Sequence, residues 1–141
     1  VGITGRWVLH GIVFNVTVNG LPPFIGATHF QEVAFVFNNL NGDGYSTNPF
    51  DGTGTYSEKA KALAKTISSS WISFFANLNP NGRHNMGLSN GQKWPVYAAS
   101  SEAPDGDGIV FSLNENSIEV DDWRSGGMDW MNEHGLTVFG N

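Results

Sequence analysis

From Tyr56 to Phe75 the apolar residues Ala60, Leu63, Ala64, Ile67, Trp71, Phe74 and Phe75 recur three or four positions apart, while Glu58, Lys59, Lys61 and Lys65 fall elsewhere on the helical wheel. This is the pattern of a long amphipathic helix, and it constrains the fold more than any other stretch. Thr55 followed by Glu58 has the spacing of a capping box at its start, and Asn79-Pro80-Asn81-Gly82 forms a stop. The stripe ends in Trp71, Phe74 and Phe75, so that end of the helix needs a large apolar surface to cover it. At 141 residues and 40% hydrophobic content, the chain is long enough for one domain with a sizeable core.

Around this helix, Trp7 to Val18 (WVLHGIVFNVTV) is rich in β-branched and aromatic residues and reads as one or two buried strands, ended by Asn19-Gly20 and Pro22-Pro23. The Gly/Asn-rich stretch NNLNGDGYSTNPFDGTG reads as a long surface loop. Ile109 to Leu113 and Ser117 to Val120 flank Asn114-Glu115-Asn116 as strand, turn and strand, and Gly126 to His134 reads as a short helix before Gly135. Strands alternating with helices imply an α/β arrangement.

Composition removes several function classes. A net charge of −6 with seven scattered basic residues disfavours a nucleic-acid surface. No apolar run approaches the roughly 20 residues of a membrane span, and no signal segment opens the chain. The absence of cysteine excludes a disulfide framework, a thiolate nucleophile and a Cys-type zinc site. Low Lys with abundant Asn, Gly, Ser and aromatics leans towards a secreted protein. The sequon Asn15-Val16-Thr17 would then be a glycosylation site if exposed, although it lies in a strand-like run.

Most polar motifs read as structural. Asn39-x-Asn41-x-Asp43-Gly44 opens like a calcium loop, but its twelfth position is Phe50, which cannot supply the bidentate carboxylate. Asp105-Gly106-Asp107-Gly108 reads as a turn. The four histidines, at 10, 29, 84 and 134, have no metal-ligand spacing, so no metal is expected. Gly87-Leu88-Ser89-Asn90-Gly91 matches the G-x-S-x-G nucleophile elbow by letter. It lacks the hydrophobic strand before and the helix after that an elbow requires, so Ser89 reads as a loop residue.

The segment GATHFQEVAFVF, Gly26 to Phe37, is the strongest functional candidate. It places His29 after a glycine turn, three residues before Glu32 and ahead of an apolar run. By spacing alone a lone histidine is more often a hydrogen-bonded structural residue than a catalyst, and Glu32 could simply favour a helix N-terminus through the dipole.

Several stretches in order change that weighting. The sequence resembles the C-terminal part of the type-B carboxylesterase/lipase family, closest in pattern to secreted fungal members. Gly26, His29, Glu32 and Val36-Phe37 match the family's catalytic-histidine segment. Trp71 and Phe74, Pro80-Asn81, and Trp94-Pro95-Val96-Tyr97 match the helix and loop that follow. Ile109 to Leu113, Asp121-Asp122-Trp123-Arg124 and Gly127 to Met131 resemble its tail. Two positions depart: Phe30 stands where a small residue often follows the histidine, and Ala34 where many members have Pro.

The resemblance implies an α/β-hydrolase fold, with residues 1–141 as the C-terminal segment of a single domain, supplying the last strands and packing helices and incomplete in isolation. It implies a serine-esterase or lipase activity with His29 as the triad base, Gly26 and Glu32 as supports of its loop, and no cofactor. Hydrolases of this fold carry the serine and the acid upstream of the histidine, and residues 1–28 contain no Ser, Asp or Glu. The expected partner is therefore the N-terminal portion of the same enzyme, bringing the serine, the acid and the oxyanion loop, with an ester or lipid as substrate. The chain alone is expected to be inactive. A Trp-rich extracellular carbohydrate-binding module built as a β-sandwich, and a remnant that has lost catalysis, remain as alternatives.

Overall fold

The computed structural model describes residues 30–97, 106–122 and 124–140. The strand-like run Trp7 to Val18 and the sequon at Asn15 lie outside the described residues. The elements run α1 (Val33–Val36), α2 (Tyr56–Asn77), a three-residue 3-10 turn (Ser89–Gly91), β1 (Asp107–Val110), β2 (Ser117–Val120) and α3 (Ser125–Phe139).

The periodic stripe folds as the long helix α2, which buries Ala60, Leu63, Ala64, Ile67 and Ser70. Each fully buried Leu or Ile side chain contributes about 1.5–3 kcal/mol relative to exposure. Leu78 stops the helix in the left-handed region, φ 54°, and its amide donates to the Phe74 carbonyl at 2.7 Å. Pro80 two residues on cannot continue a helix. The capping box does not form. Thr55 makes no side-chain cap bond, and its backbone carbonyl instead accepts from Lys59 N at 3.1 Å.

Around α2 the core gathers Ala34 and Phe35 of α1, Phe50, Leu63, Ile67, Met86, Leu88, Trp94, Ile109 and Phe111 among others. The rings of Phe35 and Phe50 are 4.8 Å apart, and Trp94 meets Phe111 edge-on at 5.5 Å. Asn81 fixes the Trp94 segment with a pair of bonds: its Nδ2 donates to the Trp94 carbonyl and its Oδ1 accepts from Trp94 N, both at 2.8 Å.

β1 and β2 form an antiparallel pair in the register Asp107 with Val120 and Ile109 with Ile118. The first strand lies two to three residues earlier than Ile109 to Leu113. Asn116 is the reason: its Oδ1 accepts from Ser112 N at 2.9 Å and turns the chain before Leu113 can pair. Its Nδ2 donates to the Met86 carbonyl at 2.6 Å, tying the hairpin to the loop after α2. Asp107 and Gly108, expected in a turn, belong to β1. Gly106 alone keeps turn geometry, φ 86°, and a Cβ there would meet the Tyr97 ring at 3.0 Å, so glycine lets Tyr97 close over the strand start. Tyr97 OH then donates to Asp121 Oδ2 at 3.2 Å.

The terminal helix runs past Gly135 to Phe139 and buries no side chain. Among the described residues the sheet is this hairpin, so the last strands expected from an α/β-hydrolase are represented by one pair.

Candidate functional site

Gly26 and His29 lie outside the described residues, which begin at the position after the histidine. Phe30 has φ 75°, a left-handed conformation that costs an L-residue about 1–2 kcal/mol. Its carbonyl accepts from Val33 N at 3.3 Å, closing a turn into α1. Glu32 is the N-cap of α1, yet its side chain makes no cap bond; its backbone carbonyl accepts from Phe35 N at 3.0 Å and Val36 N at 2.9 Å. Glu32 is half-buried. Ala34 and Phe35 are buried, and α1 packs on α2, so the segment following His29 is held by the core. Ala34 is the second residue of α1, in the first turn, where a backbone N–H has no intrahelical partner and proline would also fit.

Elsewhere the described residues hold no competing catalytic constellation. Ser89 is exposed on the 3-10 turn, with Asn90 at φ 55°, and its Oγ donates to Glu115 Oε1. The described residues 92–97 that follow the turn are not helical, so the serine does not sit on the strand-to-helix turn that an elbow requires. Ser70 and His84 do meet, Oγ to Nε2 at 2.9 Å. Ser70 is buried, and its Oγ also lies 3.0 Å from the Thr66 carbonyl and 3.4 Å from Met86 Sδ, so it is tied into the packing of α2 rather than presented to a cleft. Desolvation lowers the His84 pKa below the ordinary value of 6.5. This pair is a structural tie between α2 and the loop after it.

The calcium-like stretch is closed by its own amide: Asn39 Nδ2 donates to the Asp43 carbonyl at 2.8 Å and Asn39 Oδ1 accepts from Asp43 N at 3.0 Å. Among the described residues no three His, Asp or Glu side chains converge as a metal site would require. An open polar groove of about 300 Å³ lies between the start of α2 and the hairpin turn, lined by Thr53, Thr55, Tyr56, Lys59, Ser112, Leu113 and Asn114. Lys59 Nζ donates there to Asn114 Oδ1 at 3.1 Å, and the groove contains no nucleophile with a base beside it.

Over 77 residues, 55% of its length, the chain is 36% identical to a medium-chain fatty acyl-CoA hydrolase precursor of Anas platyrhynchos. Its backbone is also similar to a carboxylesterase of Geobacillus stearothermophilus. The crystal structure of that enzyme at pH 6.8 gives a TM-score of 0.52 at 28% identity over 72% of this chain. The structure at pH 6.2 gives 0.53 at 29% identity over 78%. The chain is thus similar to part of a carboxylesterase. It spans 11% of the acyl-CoA hydrolase and 19–20% of the bacterial esterase, so an α/β-hydrolase likeness extends over only a fifth of the latter. No family model matches the chain.

In the sequence, Phe30 stands out as a bulky departure from the resembling family, of a size that would reshape the acyl or alcohol side of a pocket or mark a distant branch. Its left-handed backbone and its exposed ring, 63% accessible, are features of the structure. The signal in the sequence was the preference for a small residue at that position in the resembling family, since glycine adopts φ > 0 without cost.

Proposed function

We propose that the chain is the C-terminal segment of a serine-type carboxylic-ester hydrolase and that His29 is its triad base. The reading is carried by the likeness in sequence and backbone to part of a carboxylesterase, taken with the Gly26, His29 and Glu32 spacing. His29 would take the proton of the serine hydroxyl as its oxygen attacks the ester carbonyl, then pass that proton to the departing alkoxide, leaving an acyl-enzyme. It would next take a proton from water, whose oxygen attacks the acyl group, and return it to the serine. Gly26 and Glu32 support the loop, and the packing of Ala34 and Phe35 behind it limits its movement. The serine, the acid that orients the imidazole and the oxyanion donors come from the N-terminal portion, without which the segment is inactive. No cofactor takes part. Secretion, with Asn15 as a glycosylation site, belongs to the same reading. Among the described residues no helix is long and apolar enough to cross a membrane.

A β-sandwich binding module has no place for the 22-residue helix α2. The remnant reading is separated by activity. In the complete enzyme, His29→Gln should lower kcat/KM for ester hydrolysis by roughly three orders of magnitude or more with the circular dichroism spectrum unchanged. Undiminished hydrolysis by that variant removes His29 from the mechanism.

A further inference from the structure

We propose that Asn90 is a site of spontaneous covalent modification: its side-chain amide cyclises onto the Gly91 backbone nitrogen, loses ammonia and opens with water to aspartate or isoaspartate. The inference stands apart from the triad reading and concerns the GLSNG stretch, Gly87 to Gly91, which that mechanism leaves unused. It rests on a comparison of Asn-Gly pairs, in which the second residue has no side chain to shield the attacking nitrogen. Asn41-Gly42, Asn81-Gly82 and Asn90-Gly91 lie among the described residues, and Asn19-Gly20 lies outside them.

Two of the described pairs are locked. Asn81 has both side-chain atoms engaged, Nδ2 donating to the Trp94 carbonyl and Oδ1 accepting from Trp94 N at 2.8 Å each, and Gly82 N donates to the Pro80 carbonyl at 3.0 Å. Gly42 is buried, donates its amide to the Asn39 carbonyl at 3.0 Å, and lies so close to Asn48 that a Cβ would meet it at 2.8 Å. Neither glycine can turn its nitrogen onto the asparagine side chain without breaking these contacts. Asn90 differs. Both it and Gly91 are exposed, a Cβ on Gly91 would meet nothing within 4 Å, and among the described residues no hydrogen bond holds the Asn90 side chain. The residues around it are fixed: Leu88 is buried, Ser89 Oγ donates to Glu115 Oε1, and Gln92 N donates to the Ser89 carbonyl at 3.1 Å. At φ 55°, a value asparagine tolerates, Asn90 is the outward point of this turn.

The reaction needs only water. As ψ of Asn90 rotates from 23°, Gly91 N gives its proton to solvent and bonds to Asn90 Cγ; the Cγ–Nδ2 bond breaks, and Nδ2 leaves as ammonia with a proton from solvent. Water then adds to one carbonyl of the cyclic imide, and the bond from that carbonyl to nitrogen breaks. Attack at Cγ gives aspartate, and attack at the backbone carbonyl gives isoaspartate. Nothing is oxidised or reduced. Intramolecular attack requires the reacting atoms to meet, and a misplacement of about 1 Å can cost about a hundredfold in rate, so the two locked pairs are spared. Either product adds one negative charge to a chain that carries −6. Isoaspartate also lengthens the backbone by a methylene inside the turn, which breaks the Gln92 N to Ser89 carbonyl bond and loosens the hold of Ser89 on Glu115.

The test follows the complete protein over time in mildly alkaline buffer, with peptide mapping by mass spectrometry and fragmentation that separates aspartate from isoaspartate. In the folded protein Asn90 should lose its amide roughly tenfold or more faster than Asn41 and Asn81, giving both products. The same time course in guanidinium chloride removes the folded restraints, and the three pairs should then convert at similar rates. Asn90→Gln, whose longer side chain cyclises less readily, should leave position 90 unconverted. The proposal is overturned if the Asn90 amide persists in the folded protein, if it converts no faster than Asn41 or Asn81, or if its lead survives in denaturant. Aspartate without isoaspartate also overturns it, since that product pattern belongs to direct hydrolysis rather than cyclisation. The wild-type time course decides the matter if Asn90→Gln does not fold.

Discussion

Asn116 is 6% exposed and joins three parts of the chain: its side chain bonds Ser112 N and the Met86 carbonyl, and its own amide donates to the Gly87 carbonyl at 3.2 Å. Replacing it with leucine keeps the volume but removes both side-chain bonds, leaving polar backbone groups with no partner in a site that water reaches poorly. Asn116→Leu should destabilise by about 2–3 kcal/mol, read as a lowered urea midpoint with an unchanged slope. His84 gives a second residue-scale expectation. Desolvation holds its folded pKa below 6.5, so the neutral ring hydrogen-bonded to Ser70 is the native form. As pH falls below 6.5 the unfolded chain gains a proton that the folded chain resists, so the His84 contribution is complete above 6.5 and is lost as pH falls through the folded pKa. Melting curves between pH 7.5 and the acid side of that folded pKa should show a declining Tm in wild type and a shallower decline in His84→Gln. Equal slopes for the two proteins would remove the histidine from the effect. None of the amide ties at Asn39, Asn81 and Asn116 was legible in the sequence, because an asparagine in a Gly/Asn-rich loop has many local partners and only the tertiary path selects one.

At the level of elements, α2 was legible because a three-to-four-residue repeat over five turns has few alternative uses. Its ends were less so. The Thr55 and Glu58 spacing suits a capping box, yet Thr55 has φ −84° and ψ 3° instead of the extended geometry that aims a hydroxyl at the third amide. Thr55→Ala should therefore change stability by less than about 0.5 kcal/mol, against about 1 kcal/mol for a working cap. Ile67, fully buried on the packed face, should by contrast cost about 2–5 kcal/mol when truncated to alanine. Chemical denaturation of the two variants side by side tests both statements, and a Thr55→Ala loss near 1 kcal/mol would restore the cap. The hairpin was legible in its second strand but not in the start of its first. Asp107 and Gly108 have turn composition, and only the cross-strand bonds to Val120 and Glu119, with Tyr97 closing on Gly106, draw them into β1. The resemblance points to His29, which lies outside the described residues, whereas the reading of Ser89 as a loop residue was legible from the lack of a hydrophobic strand before it and a helix after it. Phe30 was legible as a bulky departure from the resembling family, but its positive φ was not, because a phenylalanine rarely adopts such a value.

For the molecule as a whole, the distribution of apolar surface bears on the proposed N-terminal partner. Ile72, Phe75 and Leu78 at the end of α2 are 66%, 78% and 67% exposed, and the half-buried Trp71 stacks on Phe75 at a centroid distance of 6.3 Å. On α3, Met128, Met131, Leu136, Val138 and Phe139 are exposed, and the helix buries nothing. Single exposed hydrophobics are ordinary, but clusters on two helices are surfaces of the kind that the proposed N-terminal portion would cover. The chain spans a fifth of the bacterial esterase it resembles, which leaves ample protein to provide that cover. Residues 1–141 produced alone should therefore self-associate or carry a bound chain, seen as excess mass in sedimentation velocity and as strong binding of a hydrophobic dye. Ile72→Ser with Phe75→Ser should reduce both signals without lowering helix content, because neither side chain contributes to the described core. Expression together with the N-terminal portion should abolish the dye signal and generate ester hydrolysis in the same fraction. A monodisperse monomer of 1–141 that hydrolyses esters unaided would contradict both the exposed-surface argument and the division of the triad between two parts of the enzyme.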